Sequence, residues 1–363
     1  MLLLLAAHAA LLGLVVVNLG YLRRTRRERK APGAWPRVSV LVPARNEETN
    51  LRRLLPSLLA QDYPDVEVVV VDDASEDGTW AVLEAHADPR LRPIRGEGPP
   101  PGWLGKPHAL HVATGYATGD RYLFLDADAV LADAGALRRL VERFEALEAD
   151  AVMTGLPRYR GEAGGLLLTS LVPFAILAAL PLPLVPRSPR PSLSALNGQV
   201  WMIEAAAYRR HEPHRAVAAD ILEDVEIGRL LKRAGMRLSL RDLGGEVSVR
   251  MYRSFGEAWR GFRKNAYLLW GGRPLPFAAL WTLYALLYVA APLFGWPLLL
   301  SLYVLKGTAD QGARLPLWVS LLAPLVLAAG ALLALDSALA HGTGRVAWKG
   351  RRVAGRTGEH AAP

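Results

Sequence analysis

The sequence predicts an α/β fold with a mostly parallel sheet, together with transmembrane helices at both ends of the chain. Three observations lead to this prediction. Apolar runs of strand length alternate with segments of helical periodicity over residues 38–156, a pattern typical of a sheet covered by helices. Acidic or polar groups follow three of the predicted strands, and long uncharged blocks lie near both termini. The chain is 52% hydrophobic and 21% charged, so neither a soluble domain nor a membrane bundle accounts for all of it.

The first uncharged block, residues 2–22, is long enough to cross the ~30 Å hydrocarbon core of a bilayer. Basic residues do not precede it and no clear small-residue cleavage site ends it, which disfavours a cleaved signal peptide. Basic residues follow it instead, in a linker at residues 23–37. The positive-inside rule therefore predicts an outside N-terminus and places the residues after Arg23 in the cytoplasm.

Two further apolar blocks, residues 276–305 and 315–335, predict transmembrane helices within residues 276–340. The tail at residues 341–363 is basic and agrees with three spans that begin outside and end inside. We therefore expect a multi-pass protein of the cytoplasmic membrane. The net charge of +9 is explained largely by these flanking basic residues, which favour anionic lipid head groups.

Two classes of site are excluded by composition. A nucleic-acid partner would require a basic face with interleaved aromatics or a known module, and neither is present. The chain has no cysteine, which excludes disulfides, thiolate metal sites and cysteine nucleophiles.

The central region alternates between strands and helices. The first predicted helix carries leucines at 51, 54, 55, 58 and 59, the spacing of one buried stripe. The second strand is continuously apolar, as expected when helices cover both faces of a parallel sheet. The predicted strands are "RVSVLVPA", "VEVVVVDD", "LRPIR", "RYLFLDAD" and "DAVMTGL", and the predicted helices are "NEETNLRRLLPSLLAQ", "DGTWAVLEAHA", "KPHALHVATGYA" and a segment that ends near residue 148.

Acidic pairs follow two of these strands: Asp72 with Asp73, and Asp126 with Asp128. Because ligands of open parallel sheets bind beyond the carboxyl ends of the strands, we expect both pairs at one rim, together with the residues that follow "VSVLV". Two carboxylates in a D-x-D pattern suit Mg²⁺ or Mn²⁺, with substrate phosphates completing the coordination. The alternative is that these acids close turns or cap a helix.

At this point the sequence resembles the family 2 glycosyltransferases of the GT-A fold. The resemblance covers roughly residues 38–267. Within the family, "PPPGWLGKPHAL" and "MYRSFGEAWRGFRKNAY" are most similar to membrane-bound transferases that glycosylate carotenoid acids and similar lipids. The runs that carry the family resemblance are "VSVLVPARNEETNLRRLLPSLLAQDYPDVEVVVVDDASEDGT", "GWLGKPHAL", "GDRYLFLDAD" and "ILEDVEIGRLLKRAG".

The resemblance implies a site for a nucleotide-sugar donor at the first two strands. By resemblance, Pro43, Arg45 and Glu47 border the nucleotide base and ribose. Asp73, with Asp72 beside it, would accept the imide N–H of uracil, a bond that only an acceptor can make. An N-cap role for the Asp pair is the alternative, and the two roles are compatible.

The resemblance also implies a site for the diphosphate and its cation. Lys106 would counter the charge of the diphosphate, although a lysine in such a loop is also compatible with a merely solvated side chain. Asp126 and Asp128 would flank the sugar-nucleotide, with Asp128 as the direct ligand of Mg²⁺ or Mn²⁺. The cation would neutralise charge on the departing diphosphate.

The "LED" run implies the catalytic base. Asp224 would take the proton of the acceptor, with Glu223 as its neighbour in the substrate site, and would matter less for a carboxylate acceptor. The alternative is that both acids favour the dipole of the helix that they begin.

One departure from the family concerns the acceptor. Polymerising members carry Q-x-x-R-W after the base, whereas this chain has Trp259 and Arg263 without that order. Together with the few predicted spans, this favours a single transfer over polymer synthesis. Trp259 and Arg263 share one helical face and are expected to line the acceptor site or to contact the membrane surface.

The resemblance implies an inverting glycosyltransferase that moves one sugar from a nucleotide-diphosphate sugar, with UDP-glucose as the expected donor, to a membrane lipid such as a carotenoid or carotenoid acid. A polyprenyl phosphate, hopanoid or glycerolipid acceptor is the alternative. A nucleotide-sugar-binding scaffold without activity is disfavoured by the presence of all three acids, Asp126, Asp128 and Asp224.

The expected domain order follows from these assignments. Residues 164–186 are apolar enough to suggest another span, but a crossing there would separate Asp126 from Asp224, so we expect an interfacial segment. The expected order is a transmembrane helix (1–22), a basic linker (23–37), the catalytic domain (38–272, including 164–186), transmembrane helices (276–340) and a basic tail (341–363).

Overall fold

The computed structural model of the protein describes residues 1–348 and 351–352. The described residues form two compact units, neither of them a single stretch of chain. The sheet unit comprises residues 22–158 and 183–249, and the apolar-helix unit comprises residues 1–21, 159–182 and those from 250 onward. The predicted domain boundaries stay a prediction, and most of the predicted basic tail lies outside the described residues.

The strands and helices are labelled in chain order. The strands are β1 (Val38–Ala44), β2 (Val66–Asp73), β3 (Leu91–Gly96), β4 (Arg121–Leu125), β5 (Ala129–Leu131), β6 (Ala151–Leu156), β7 (Arg158–Tyr159), β8 (Val200–Glu204), β9 (Arg237–Asp242), β10 (Val247–Val249), β11 (Ala347–Trp348) and β12 (Arg351–Arg352). The α-helices are α1 (Leu2–Thr25), α2 (Glu48–Leu59), α3 (Thr79–Glu84), α4 (Gly105–Tyr116), α5 (Ala136–Glu145), α6 (Ala163–Thr169), α7 (Leu171–Ala179), α8 (Ala205–His211), α9 (Pro213–Ala216), α10 (Glu223–Arg233), α11 (Phe255–Arg263), α12 (Ala266–Leu269), α13 (Pro274–Tyr284), α14 (Trp296–Gly312), α15 (Leu317–Leu321) and α16 (Ala323–Gly342).

The central sheet confirms the predicted α/β class. Its order is β3-β2-β1-β4-β8-β6-β9. The pairs β1–β2, β1–β4, β2–β3 and β6–β9 are parallel, whereas β8 runs antiparallel to both β4 and β6. Every residue of β2 and of β6 is buried, as expected for strands that carry apolar runs and are covered on both faces. The sheet is therefore mostly parallel.

The predicted strands of residues 38–156 are all present, with small differences in their ends. The strand predicted to include Asp126 and Asp128 ends at Leu125, and the two acids lie in the turn before β5. Strands β8 and β9 were not predicted from the sequence. Helix α2 buries Leu51, Leu54, Leu55 and Leu58, which confirms four positions of the predicted leucine stripe, whereas Leu59 is only partly buried. Pro56 lies within the helix.

Among the described residues, three helical segments are long and apolar enough to span a membrane: Leu2–Thr25, Pro274–Phe294 and Ala323–Gly342. The second contains α13 followed by a π-helical turn (Ala285–Ala290) and a 3₁₀ turn (Ala291–Phe294). The apolar block at residues 276–305, predicted as one span, is instead broken at Gly295, whose φ of +121° interrupts the helix. Glycine tolerates this conformation and residues with a side chain do not, which explains the break.

The segment at residues 164–186 is also broken. It contains α6 and α7, separated only by Ser170, followed by a 3₁₀ turn at Leu182–Leu184. Pro173 lies in the first turn of α7, where proline is tolerated. The predicted absence of a straight span is compatible with these short elements, and the interfacial location stays a prediction.

Buried polar contacts occur both between and within segments of the apolar-helix unit. The amide of Asn18 in α1 donates to the carbonyls of Leu177 (2.8 Å) and Leu180 (2.7 Å). The fully buried Lys306 and Asp310 of α14 form an ion pair. Such contacts satisfy polar groups that would be costly to expose to lipid.

Candidate active site

The ammonium group of Lys106 lies at the centre of an acidic cluster in the sheet unit. Its Nζ is 2.8 Å from Oδ1 of Asp126 and 3.1 Å from Oε1 of Glu223. The carboxylate of Asp224 is close enough to act on the same ammonium electrostatically. The ion pairs raise the pKa of Lys106 above its usual value and outweigh the opposing effect of burial. The ammonium group of Lys106 thus contacts Asp126, which is 20 positions away in sequence, and Glu223, which is more than 110 positions away.

The sheet places Asp126 at this point. Asp126 follows directly after β4, and its backbone N–H donates to the carbonyl of Gln199 at 3.1 Å. Leu125 at the end of β4 pairs with Val200 at the start of β8. Because β8 is antiparallel, the residues that precede it lie beside the carboxyl end of β4, at the rim predicted to hold the site.

Gly198 makes the cluster possible by bringing backbone close to the acids. Its N–H donates to Oδ2 of Asp224 at 3.1 Å, and its carbonyl is 3.4 Å from Nζ of Lys106. A Cβ at this position would lie 3.1 Å from both Asp224 Cβ and Lys106 Nζ, closer than most Cβ contacts. Sequence reasoning missed this glycine, although a glycine between two amides in "LNGQVW" marks a tight turn.

Helix α10 presents Glu223 and Asp224 in its first turn. The two Asp224 oxygens accept the backbone N–H groups of Gly198 and of Val225, the latter at 2.8 Å. Burial and the neighbouring Glu223 carboxylate raise the pKa of Asp224 to about 6, although the Lys106 ammonium and the two N–H donors oppose this rise. A carboxylate with this pKa is a competent proton acceptor near neutral pH.

Asp126 and Asp128 lie in the same turn and are both partly exposed. Among the described residues, no group of three or more His, Asp or Glu side chains is arranged so that it could hold a metal ion by itself. Two carboxylates nevertheless fit the chemistry of Mg²⁺ or Mn²⁺, because these ions are commonly held by one or two protein carboxylates and by substrate phosphates. The metal assignment of Asp126 and Asp128 stays a prediction that the donor set supports.

The carboxyl ends of β1 and β2 lie side by side, with Ala44 paired to Asp72. Arg45 donates to the backbone carbonyls of Asp73 (2.8 Å) and Ala74 (2.6 Å). Ala74 has a φ of +54°, a left-handed conformation that is unfavourable for a residue with a side chain. Arg45 therefore holds the loop after β2 in shape, and its predicted contact with the nucleotide stays a prediction.

The other predicted donor residues lie at the same rim. Asp72 and Asp73 are buried, and Oδ1 of Asp72 accepts the N–H of Ser75 at 3.0 Å. This contact closes the turn after β2. The N-cap residue of α3 is Gly78, so the alternative role of the Asp pair as an N-cap is wrong. Pro43 and Glu47 are partly exposed at the end of β1 and before α2.

Trp259 and Arg263 belong to α11 of the apolar-helix unit and contact the same acid. The Trp259 indole N–H donates to Oδ2 of Asp336 at 2.7 Å, and Nε of Arg263 lies 3.3 Å from that oxygen. Their shared helical face is therefore used to bind α16. Neither of the two predicted roles, lining an acceptor site or contacting the membrane surface, is tested by these contacts.

Comparison with known proteins adds three findings. The model of glycosyl transferase family 2 matches residues 39–210. The 4,4'-diaponeurosporenoate glycosyltransferase of Staphylococcus haemolyticus is 27% identical over 254 residues, which cover 66% of this chain and 64% of that protein. The succinoglycan biosynthesis protein ExoO of Rhizobium meliloti is 35% identical over 151 residues, 41% of each chain.

The fold comparison agrees. A mannosyltransferase from Pyrobaculum calidifontis, solved in complex with GDP-Man and Mn²⁺, superimposes with a TM-score of 0.55 at 21% identity, covering 93% of this chain and 98% of that one. At this identity the likeness concerns the fold, which is the predicted GT-A fold. The region that matches the model of glycosyl transferase family 2, residues 39–210, contains Lys106, Asp126 and Gly198 of the acidic cluster.

Proposed function

We propose that the protein transfers one sugar from a nucleotide-diphosphate sugar, with UDP-glucose as the expected donor, to a membrane lipid of the carotenoid or carotenoid-acid class, with inversion at the anomeric carbon. The observation that carries this proposal is the convergence of Asp126, Lys106 and Asp224 at the carboxyl rim of the sheet. The acceptor class is supported by the relative named 4,4'-diaponeurosporenoate glycosyltransferase and by the apolar helices of this chain.

The donor would lie across the rim, with its base toward the loops after β1 and β2 and its diphosphate toward Lys106. Buried Asp73 would accept the imide N–H of uracil, in a loop whose shape Arg45 maintains through two backbone carbonyls. Lys106 would offer a positive charge to the diphosphate. Asp126 and Asp128 would hold Mg²⁺ or Mn²⁺, which supplies charge neutralisation to the leaving diphosphate when it is bound.

In the proposed transfer step, Asp224 takes the proton of the acceptor hydroxyl. The acceptor oxygen forms a bond to the anomeric carbon from the side opposite the diphosphate, and the bond from that carbon to the diphosphate oxygen breaks. The proton of an acceptor hydroxyl passes to a carboxylate oxygen of Asp224, and the nucleoside diphosphate leaves with the electron pair of the broken bond. The backbone N–H groups of Gly198 and Val225 hold the Asp224 carboxylate in a fixed orientation for this purpose.

The same geometry constrains the membrane topology that we propose. Lys106 contacts both Asp126 and Glu223, so these acids must lie on one side of a bilayer. The chain between them can then cross only an even number of times, which argues against a single span at residues 164–186. We propose that this segment lies at the membrane interface and that the sheet unit faces the cytoplasm.

Single cysteines at Arg158 and Arg190 test this topology, because the natural chain has no cysteine. In intact cells, both positions should be protected from a membrane-impermeant thiol reagent and should become labelled once the membrane is permeabilised. Labelling of one position only before permeabilisation would contradict the proposed topology.

The function is tested with membranes that contain the protein, incubated with UDP-glucose labelled in the sugar. We expect label in the lipid extract, in a carotenoid-type product, and none with an Asp224→Asn variant. Label in the polyprenyl phosphate, hopanoid or glycerolipid fraction would contradict a carotenoid-type acceptor and identify that lipid class as the acceptor. No labelled lipid with UDP-glucose or any other common nucleotide-sugar would favour a scaffold without activity.

A further inference from the structure

Lys106 is bound to the residues that the proposed cation needs. Its Nζ contacts both oxygens of Asp126, at 2.8 and 3.1 Å, and Oε1 of Glu223 at 3.1 Å. The Lys106 side chain is 32% exposed and that of Asp126 is 23% exposed. The ion pair is therefore accessible to a ligand, and its ammonium group can exchange partners without unfolding the site.

Several acids share the positive charge of Lys106. Three carboxylates, those of Asp126, Glu223 and Asp224, act on one ammonium group. A divalent cation would neutralise part of this negative charge, but it would have to approach Asp126 beside the positive charge of Lys106. Because like charges repel, the lysine and the metal compete for the same carboxylate.

We propose that Lys106 acts as an internal cation for Asp126 in the absence of donor, and that it moves to the diphosphate when the donor binds, leaving Asp126 free for the metal. This inference rests on the proposed function, because it takes Asp126 as a metal ligand. Lys106 is in this sense a positioning residue that makes metal binding depend on the nucleotide.

Two consequences follow. The donor-free protein binds the divalent cation weakly, because binding must displace an ion pair. Nucleoside diphosphate and metal strengthen each other's binding by the same factor, since coupling between two ligands is reciprocal. Removing the lysine charge weakens this coupling, although direct contact between metal and diphosphate keeps part of it.

The experiment measures Mn²⁺ binding to the full chain in detergent by the electron paramagnetic resonance signal of free Mn²⁺, with and without UDP. Lys106→Met retains an unbranched side chain of similar length but removes the charge. We expect it to tighten Mn²⁺ binding without UDP by about tenfold, which is about 1.4 kcal/mol. We also expect UDP to strengthen Mn²⁺ binding less in this variant than in the natural protein.

Two control variants separate charge from fold. Lys106→Arg retains the positive charge and should keep Mn²⁺ binding weak without UDP. Lys30→Met removes an exposed lysine from the basic linker and should leave both binding constants unchanged. Equal Mn²⁺ affinity of Lys106→Met and the natural protein without UDP would overturn the exchange while leaving the metal site intact. Absence of Mn²⁺ binding with UDP in the natural protein would overturn the metal assignment and the exchange together.

Discussion

Two charge clusters of the sheet unit have opposite signs. In the cluster at the candidate active site, the cation Lys106 contacts the acids Asp126 and Glu223. In the second cluster, the anion Glu246 contacts three arginines. Its Oε1 lies 3.2 Å from Arg143, 3.5 Å from Arg29 and 3.5 Å from Arg139.

The difference between the clusters is access to solvent. Lys106 is about one third exposed, whereas the side chains of Arg143 and Glu246 are 0% and 2% exposed. A buried ion pair has no alternative partner, and removing one member leaves a desolvated charge. A partly exposed pair can exchange its partner for a ligand. The contact distances in the two clusters are similar, so solvent exposure distinguishes them. The buried cluster around Glu246 has a structural role, whereas the partly exposed cluster around Lys106 suits ligand binding.

Residues of the basic linker and of the end of α1 contact the second cluster and its surroundings. Arg29 reaches Glu246, and the buried Arg241 donates to the carbonyl of Thr25 at 3.1 Å and to Glu28 at 3.0 Å. Arg23, Arg24, Arg26 and Arg27 are exposed as well, and Arg24 pairs with Glu28 at 3.7 Å. The linker therefore places some of its charges against other residues of the sheet unit and others in solvent.

The largest expected effect comes from removing the metal. EDTA should abolish transfer, and Mn²⁺ or Mg²⁺ should restore it, because the departing diphosphate then regains its counter-charge. Asp128→Ala should lose activity and keep its fold, as judged by an unchanged circular dichroism spectrum. Full activity in chelator would contradict the assignment of Asp126 and Asp128.

Asp224→Asn should lower kcat by ~10²–10⁴-fold with a hydroxyl acceptor, the usual contribution of a positioned general base. Asparagine preserves the size of the side chain but cannot take the proton. The Kd of UDP with Mn²⁺ should change little, whereas Asp73→Asn should mainly weaken UDP binding. Loss of UDP affinity in Asp224→Asn at unchanged kcat would assign this acid to the donor site.

Glu246→Ala should reduce the free energy of unfolding by about 3–5 kcal/mol, since it leaves the buried Arg143 without its carboxylate. Urea unfolding of the chain in detergent, followed by tryptophan fluorescence, measures this change. Arg52→Ala is the matched control because its pair with Glu48 lies on the surface, where a salt bridge contributes about 0.5 kcal/mol or less. Equal effects of the two variants would remove the distinction between buried and exposed pairs.

The pH dependence gives a smaller effect. Because burial and Glu223 raise the pKa of Asp224 to about 6, the carboxylate is ionised above that pH and protonated below it. With a hydroxyl acceptor, kcat/KM should fall about tenfold for each pH unit well below 6. The acidic limb should be absent from the residual activity of Asp224→Asn. An identical limb in that variant would show that another group is responsible.

Much of the fold follows from local pattern. Continuous apolar runs such as Val66–Asp73 and the leucine stripe of α2 specify their elements through burial, which depends on side-chain spacing alone. The acids after β2 and β4 could be placed at one rim because carboxyl ends of parallel strands coincide. The uncharged blocks likewise indicate membrane helices by length and composition.

The features of the fold that the sequence pattern did not predict depend on contacts between residues far apart in the chain. Strand β8 carries the short apolar run "VWMIE", which does not reveal its direction, and its antiparallel insertion beside β4 is what brings Gly198 to Asp224 and Lys106. The break at Gly295 was missed because a glycine inside an apolar block is compatible with a continuous helix. Its positive φ depends on the surrounding packing.

The sequence by itself determined which chemical groups are present: acids that suit a hard cation, a lysine that we expect to counter phosphate charge, and an acid pair at the start of a helix. Only the tertiary structure decided which partners each group has. Lys106 could have been a solvated loop residue, yet it binds Asp126 and Glu223. Arg45 binds backbone carbonyls of the loop after β2. The physical reason is that Coulomb and hydrogen-bond energies fall steeply with distance and rise with burial, and both depend on contacts between residues far apart in the chain.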